Sequence, residues 1–313
     1  MQRVRQAVIG AVVLGAAALL AAGCAAPAPV TGTATRPRVI YVVASENFWG
    51  SLARQLGGSH VAVYSVISDP NADPHSFESS AASARAVAEA GYVIENGAGY
   101  DDWMSQLMSA SPNPHRRVLS IAALLGKHPG DNPHFWYNPA YVTAAENRIE
   151  ADLKALDPAD SAYFTARRNA TDAAFAGLRA QLARIRRDYA GQPVASTESI
   201  VVYLARYLRL RLISPPAFMT AVSEGNEPPA AAVAMFEHQL TARQPRVLIY
   251  NEQTATALTT SMRELASRYR VPVVGVTETI QPPGLSYQRW LSRELTALTR
   301  ALKTAQIRNG GAA

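Results

Sequence analysis

Short apolar runs alternate with helical periodicity along almost the whole chain. In the first half the runs Val39 to Ala44, Val61 to Ile67, Tyr92 to Glu95 and Val118 to Ile121 read as strands. Between and after them, helical patterns cover Phe48 to Leu56, a stretch around Ala81 to Ala90, a segment from Asp102, and about Ala140 to Leu156. From Pro158 to Ala190 the apolar residues Phe175, Leu178, Leu182, Ile185 and Tyr189 recur at spacings of three and four, which places one stripe on a single long helix. At roughly 1.5 Å per residue, about 30 residues reach some 45 Å, the length of a two-lobed molecule.

The second half repeats the plan. Strands are expected at Val194 to Ser196, Arg211 to Ile213, Val247 to Tyr250 and Val271 to Val276, with helices at Ile200 to Tyr207, Pro229 to Leu240, Thr256 to Tyr269 and Tyr287 to Leu302. The expected fold is α/β: two lobes, each a four-stranded, mainly parallel sheet flanked by helices, joined by one long backbone helix. The boundaries are 38–157 for the N-terminal lobe, 158–190 for the linking helix and 191–313 for the C-terminal lobe.

The start of the chain obeys a different pattern. Arg3 and Arg5 precede an apolar run from Ala7 to Ala22, and small residues stand before Cys24, the only cysteine in 313 residues. This reads as a signal peptide over 1–23 and a bacterial lipoprotein site at Cys24, with Ala21 where leucine is usual. About 16 apolar residues are short for a membrane span of roughly 20. Residues 24–37 have the proline- and glycine-punctuated composition of a solvated tether. A lone cysteine excludes disulfides within the chain and thiolate metal sites. The net charge of +6 becomes +4 without Arg3 and Arg5, and the one basic cluster, Arg179, Arg184, Arg186 and Arg187, fits a solvated helix face better than a nucleic-acid surface.

Candidate chemistry lies at strand ends, because open parallel sheets bind ligands outside the carboxyl ends of their strands. Two Pro-His dipeptides, Asp73-Pro74-His75 and Asn132-Pro133-His134, occupy loops after the second and fourth strands; Glu198 and Glu278 follow the first and last strands of the second half. Two neutral imidazoles and two carboxylates would balance a divalent cation. Taken singly, each residue has a plainer role: a turn cap for His75, stacking on Phe135 or Trp136 for His134, a helix-start acid for Glu198. His60, His115, His128 and His238 show no partner at ligand spacing, and Tyr100, Trp103, Phe135, Trp136 and Tyr137 read as packing. Nucleophile elbow, phosphate loop and dinucleotide fingerprint are all missing from the sequence.

The ordered motifs Asn47-Phe48-Trp49-Gly50, Gly57-Gly58, Asp73-Pro74-His75-Ser76-Phe77-Glu78, Asn96-Gly97-Ala98-Gly99-Tyr100, Asn132-Pro133-His134-Phe135-Trp136, Glu198 with Tyr203, Gly225-Asn226-Glu227-Pro228 and Thr277-Glu278-Thr279 resemble those of the cluster A-I solute-binding proteins. These deliver zinc or manganese to bacterial ATP-binding-cassette importers. The resemblance covers almost all of the mature chain and implies helix-linked lobes. It makes His75 and His134 the ligands of the first lobe, Glu198 the third ligand and Glu278 the acidic fourth. The cargo is then Zn2+ or Mn2+, and the partner the transmembrane subunit of a permease. The protein is expected to be a monomer held to the membrane by its lipid, with no covalent chemistry of its own and no nucleic-acid partner. Many zinc members carry a third histidine where Glu198 stands and a His-rich loop in the first lobe, and this chain has neither; Leu208 and Asn138 also depart from common glycine and aspartate positions. Two other readings of the residues are a secreted metallohydrolase and a binder of ferric chelates or cobalamin.

Overall fold

The computed structural model describes residues 39–69, 77 and 79–310. The expected signal segment, the expected tether with Cys24, and His75 lie outside these residues. In chain order the first half holds β1 (Ile40–Glu46), α1 (Asn47–Gly57), β2 (Val61–Ile67), α2 (Ala81–Glu89), β3 (Tyr92–Glu95), α3 (Asp102–Ala110), β4 (Arg117–Ser120), α4 (Ile121–Leu124) and α5 (Pro139–Leu156). Then come α6 (Ser161–Ala174) and α7 (Ala176–Tyr189). The second half holds β5 (Pro193–Ser196), α8 (Val202–Leu208), β6 (Arg211–Leu212), α9 (Pro216–Ser223), α10 (Ala230–Thr241), β7 (Leu248–Asn251), α11 (Ala257–Arg268), β8 (Val273–Val276) and α12 (Tyr287–Gly310).

The two sheets share one topology. Their orders are β2-β1-β3-β4 and β6-β5-β7-β8, and every pairing is parallel. Parallel pairing directs all the carboxyl ends of a sheet to one edge. In each sheet the order in which strands are added reverses beside the first strand, so the switch points fall between β1 and β3 and between β5 and β7.

Period-two alternation along the strands sorts the side chains into three cores. Val42, Ala44 and Ile94 of the first sheet, and Val247, Ile249 and Val274 of the second, share one continuous core with α1, α5, α6, α7, α8 and α12. The intervening residues face outward: Val43 and Val93 pack with α2 and α3, and Ala195 and Leu248 with α9, α10 and α11. The lobes are therefore joined by a common hydrophobic layer.

The linking stretch expected as one helix is two, α6 and α7, with Phe175 between them. Backbone bonds continue across the break, from Phe175 N to Thr171 O at 3.1 Å and from Arg179 N to Phe175 O at 2.9 Å. Phe175 stacks on Tyr287 of α12 with ring centroids 5.7 Å apart. The pattern of apolar spacing carries through such a break unchanged. The helix α9 was not among the expected elements; it begins at Pro216, and proline suits the first turn of a helix. Among the described residues no helix is long and apolar enough to cross a membrane.

Candidate metal centre

His134, Glu198 and Glu278 converge. Each offers a ligand atom, those atoms all lie within 4.8 Å of one another, and all three residues are fully buried. Glu198 stands two residues after β5 and Glu278 two after β8, as strand-end placement requires. His134 comes from the loop that runs from α4 to α5.

The orientation of His134 follows from its neighbour. The backbone N–H of His134 donates to Asn132 Oδ1 at 3.0 Å, and the ring Nδ1 lies 2.8 Å from the same oxygen. An amide oxygen only accepts, so Nδ1 carries the proton and the lone pair is on Nε2. The amide cannot be flipped, because Asn132 Nδ2 donates to Ser199 O at 2.8 Å. Tyr203 Oη donates to Asn132 O at 2.9 Å. One asparagine thus sets the imidazole tautomer and ties the His134 loop to the segment that follows Glu198. The loop is further held by Asn96, whose Nδ2 donates to Pro133 O at 3.0 Å while its Oδ1 accepts from Trp49 Nε1 at 3.1 Å. Trp136 packs edge-on against the His134 ring at 5.2 Å and stacks on Phe48 at 4.2 Å.

Asn251, the last residue of β7, joins the two carboxylates. Its Nδ2 donates to Glu198 Oε1 and to Glu278 Oε1, both at 2.7 Å. Its own Oδ1 accepts from Gln253 N at 3.0 Å, which fixes the amide orientation. Thr254 Oγ1 donates to Glu198 Oε2 at 2.8 Å, and Tyr100 Oη to Glu278 Oε2 at 2.7 Å. Gln253 Oε1 accepts from the backbone N–H groups of Glu278 and Thr279 at 2.6 and 2.9 Å. The side-chain donors to the carboxylates are neutral, so they orient the two acids without cancelling their charge. Burying two carboxylates side by side is costly unless a cation joins them.

Tyr100 has a dual place, packing by its ring and donating by its hydroxyl. Burial, then the charges of Glu278 and Glu46, hold its phenol well above the usual range, so it stays a donor. It is presented by the turn Gly97-Ala98-Gly99, whose φ angles are +76°, +59° and +86°. A Cβ at Gly97 would meet the Ala122 Cβ at 2.8 Å, so this turn requires glycine there. The freed N–H groups of Asn96 and Gly97 donate to Asp101 at 2.7 Å each. Glu46, at the end of β1, is a further buried acid. Its carboxyl oxygens have no hydrogen-bond partner among the described side chains, and burial, then Asp101, Glu95 and Glu278, push its pKa well above the carboxylate range.

Three of the four expected ligands therefore meet, while His75 lies outside the described residues. Sequence reading missed Asn251, Gln253, Thr254 and the polar role of Tyr100. Asn251 carried the same signal as Glu278, a polar residue closing a buried strand.

The family described as "Zinc-uptake complex component A periplasmic" matches residues 42–301. The chain belongs to this family. It is 28% identical over 152 residues to the manganese-binding lipoprotein MntA of Halalkalibacterium halodurans, a match over 48% of this chain and 50% of that protein. The chain thus spans about half the length of this curated relative. Among solved structures, the periplasmic zinc-binding protein TroA from Treponema pallidum superposes with a TM-score of 0.69 at 16% identity, covering 84% of this chain and 99% of that one. A manganese-bound mutant of a periplasmic metal-binding protein from candidatus Liberibacter asiaticus gives 0.71 at 15% identity over 84% and 99%. A crystal structure of ZnuA gives 0.66 at 22% identity over 86% and 98%. These likenesses establish the two-lobed fold.

Proposed function

We propose that the chain captures Zn2+ or Mn2+ outside the cytoplasm and hands it to the transmembrane subunit of an ATP-binding-cassette importer. The observation that carries this reading is the buried meeting of His134, Glu198 and Glu278, with the imidazole lone pair directed to Nε2 and the two acids bridged by Asn251. Two carboxylates and neutral imidazoles balance a divalent ion, and neutral second partners orient each ligand, as metal sites require. In this reading His75, which lies outside the described residues, is the fourth ligand. The metal is cargo, and the chain performs no covalent chemistry on it.

In this reading residues 1–23 are removed as a signal peptide, Cys24 is acylated, and 24–37 tether a monomer to the membrane. The lobes comprise 38–157 and 191–313, linked through 158–190. The names of the relatives, a zinc-uptake component and a manganese-binding lipoprotein, agree with this assignment. Titration of metal-free protein with zinc and with manganese tests it. His134→Ala should weaken both by orders of magnitude, whereas His238→Ala, on the exposed face of α10, should match the parent. Equal losses in the two variants would remove the assignment.

A further inference from the structure

A second group of ligating side chains lies far from the first in sequence and on other elements. His60 ends the short 3-10 turn Gly58–His60 between α1 and β2, and Asp157 precedes and Asp160 ends the turn Pro158–Asp160 between α5 and α6. Their ligand atoms lie within 4.8 Å of one another. His60 had no partner at ligand spacing along the chain, because its partners are about a hundred residues away.

The details of this cluster fit convergence on a shared point. His60 Nδ1 is 3.0 Å from Asp160 Oδ2, yet Nδ1 makes no hydrogen bond in line with its N–H direction. Two atoms aimed at one ion stand at such a distance without pointing at each other. Asp157 is 8% exposed, and its Oδ2 is buried with no hydrogen-bond partner. Its side chain does not cap the turn it begins. A buried acceptor left this way is costly unless something else satisfies it.

The imidazole is also held in place. Its ring stacks on Tyr163 at 3.8 Å with 13° between planes and meets the Phe164 edge at 5.8 Å. Tyr163 is itself fixed by accepting from Ser59 N at 3.0 Å. Asp160 is 36% exposed along its side chain, which leaves a path from solvent and room for water on the ion.

We propose that His60, Asp157 and Asp160 bind a second divalent transition-metal ion of the zinc class. One neutral nitrogen and two carboxylate oxygens balance its charge, and water completes a four-coordinate site. The ion pins the turn after α1 to the connection between α5 and α6, at the foot of the linking helices. With three protein ligands, it binds more weakly than the central ion.

The test counts zinc on the mature chain, stripped of metal and titrated with zinc alone, by calorimetry and by mass spectrometry of bound metal. The parent should take two ions. Asp157→Asn, which keeps size and shape, and His60→Gln should each weaken the second ion at least tenfold and leave the tighter one unchanged. His134→Ala should retain the ion that depends on Asp157. A parent that binds a single ion, or a second ion that survives both Asp157→Asn and His60→Gln, overturns the proposal. Failure of the central assignment has a different signature: His134→Ala would then keep the tight ion.

Discussion

Asn251 directs both of its amide hydrogens to acids, one toward Glu198 and one toward Glu278, each at 2.7 Å. That arrangement holds two like charges at a separation a cation can span. Asn251→Leu removes both donors and should lower affinity for zinc and manganese by at least about tenfold, roughly 1.4 kcal/mol, in competition titrations. Unchanged affinity would mean that Thr254 and Tyr100 orient the carboxylates well enough without Asn251. Glu198 supports a sharper distinction between metals. Glu198→His exchanges an anionic oxygen ligand for a neutral nitrogen, which suits zinc better than the oxygen-preferring manganese. Zinc binding should remain strong while manganese affinity falls by at least about tenfold. Calorimetry in which both metals weaken alike would place Glu198 outside the coordination sphere.

At the scale of elements, the linking stretch depends on the packing at its break. Phe175 is buried between α6 and α7 and stacks on Tyr287, and the neighbouring Leu178 and Leu182 extend the same core. Phe175→Ala should cost about 3–5 kcal/mol, because a large ring is removed from a layer shared by both sheets. Urea unfolding measures this directly; a cost under about 1 kcal/mol would show that the layer closes over the gap. The helix α12 is locked in the same region by Glu294. Tyr137 Oη lies 3.0 Å from Thr277 O and 2.8 Å from Glu294 Oε2. The carbonyl can only accept, so the single hydroxyl proton goes to it when Glu294 is neutral and donates to the tyrosine oxygen.

Across the whole molecule, this makes the metal-free protein lose stability as pH rises from the acid range toward about 8. Burial raises Glu294 from the usual 4.5 to about 8. Between those values the unfolded chain has released a proton that the folded chain still holds, so stability declines as pH rises, by about 1.4 kcal/mol per pH unit for one such group. Glu146 and Glu95, each raised by burial to about 7, act in the same direction. Glu294→Gln should flatten the decline between about pH 5 and pH 8 in thermal unfolding at fixed salt; an unaltered slope would show that Glu294 is ionised in the folded state. Metal affinity should have the opposite sign. Imidazole ligands bind only as the neutral base, so protons compete with the metal and binding should strengthen as pH rises. The lipid anchor proposed at Cys24 is separable from both effects: Cys24→Ala should move the protein out of the membrane fraction with metal affinity intact. Retention in membranes after that change would indicate an uncleaved helix.

Strand and helix positions were legible because they rest on local rules. Short apolar runs marked β1 and β7, spacing of three and four set the stripe of α7, and polar residues after buried strands pointed to Glu198 and Glu278. The ranges of β2 and β3 agree with the apolar runs residue for residue. What neighbours along the chain cannot encode is which distant groups meet. The break at Phe175 is fixed by Tyr287, more than a hundred positions away, and the apolar period is blind to it. Asn132 chooses the His134 tautomer, but its own amide is held by Ser199 on the other lobe. Asn251, Tyr100 and the trio of His60, Asp157 and Asp160 gain their roles only when the two sheets and their shared helical layer are packed. The sequence by itself determined the period of each element and the residue types available at each strand end. Tertiary packing decided which of them share a site, because hydrogen bonds and coordination act over about 2–3 Å between atoms that only folding brings together.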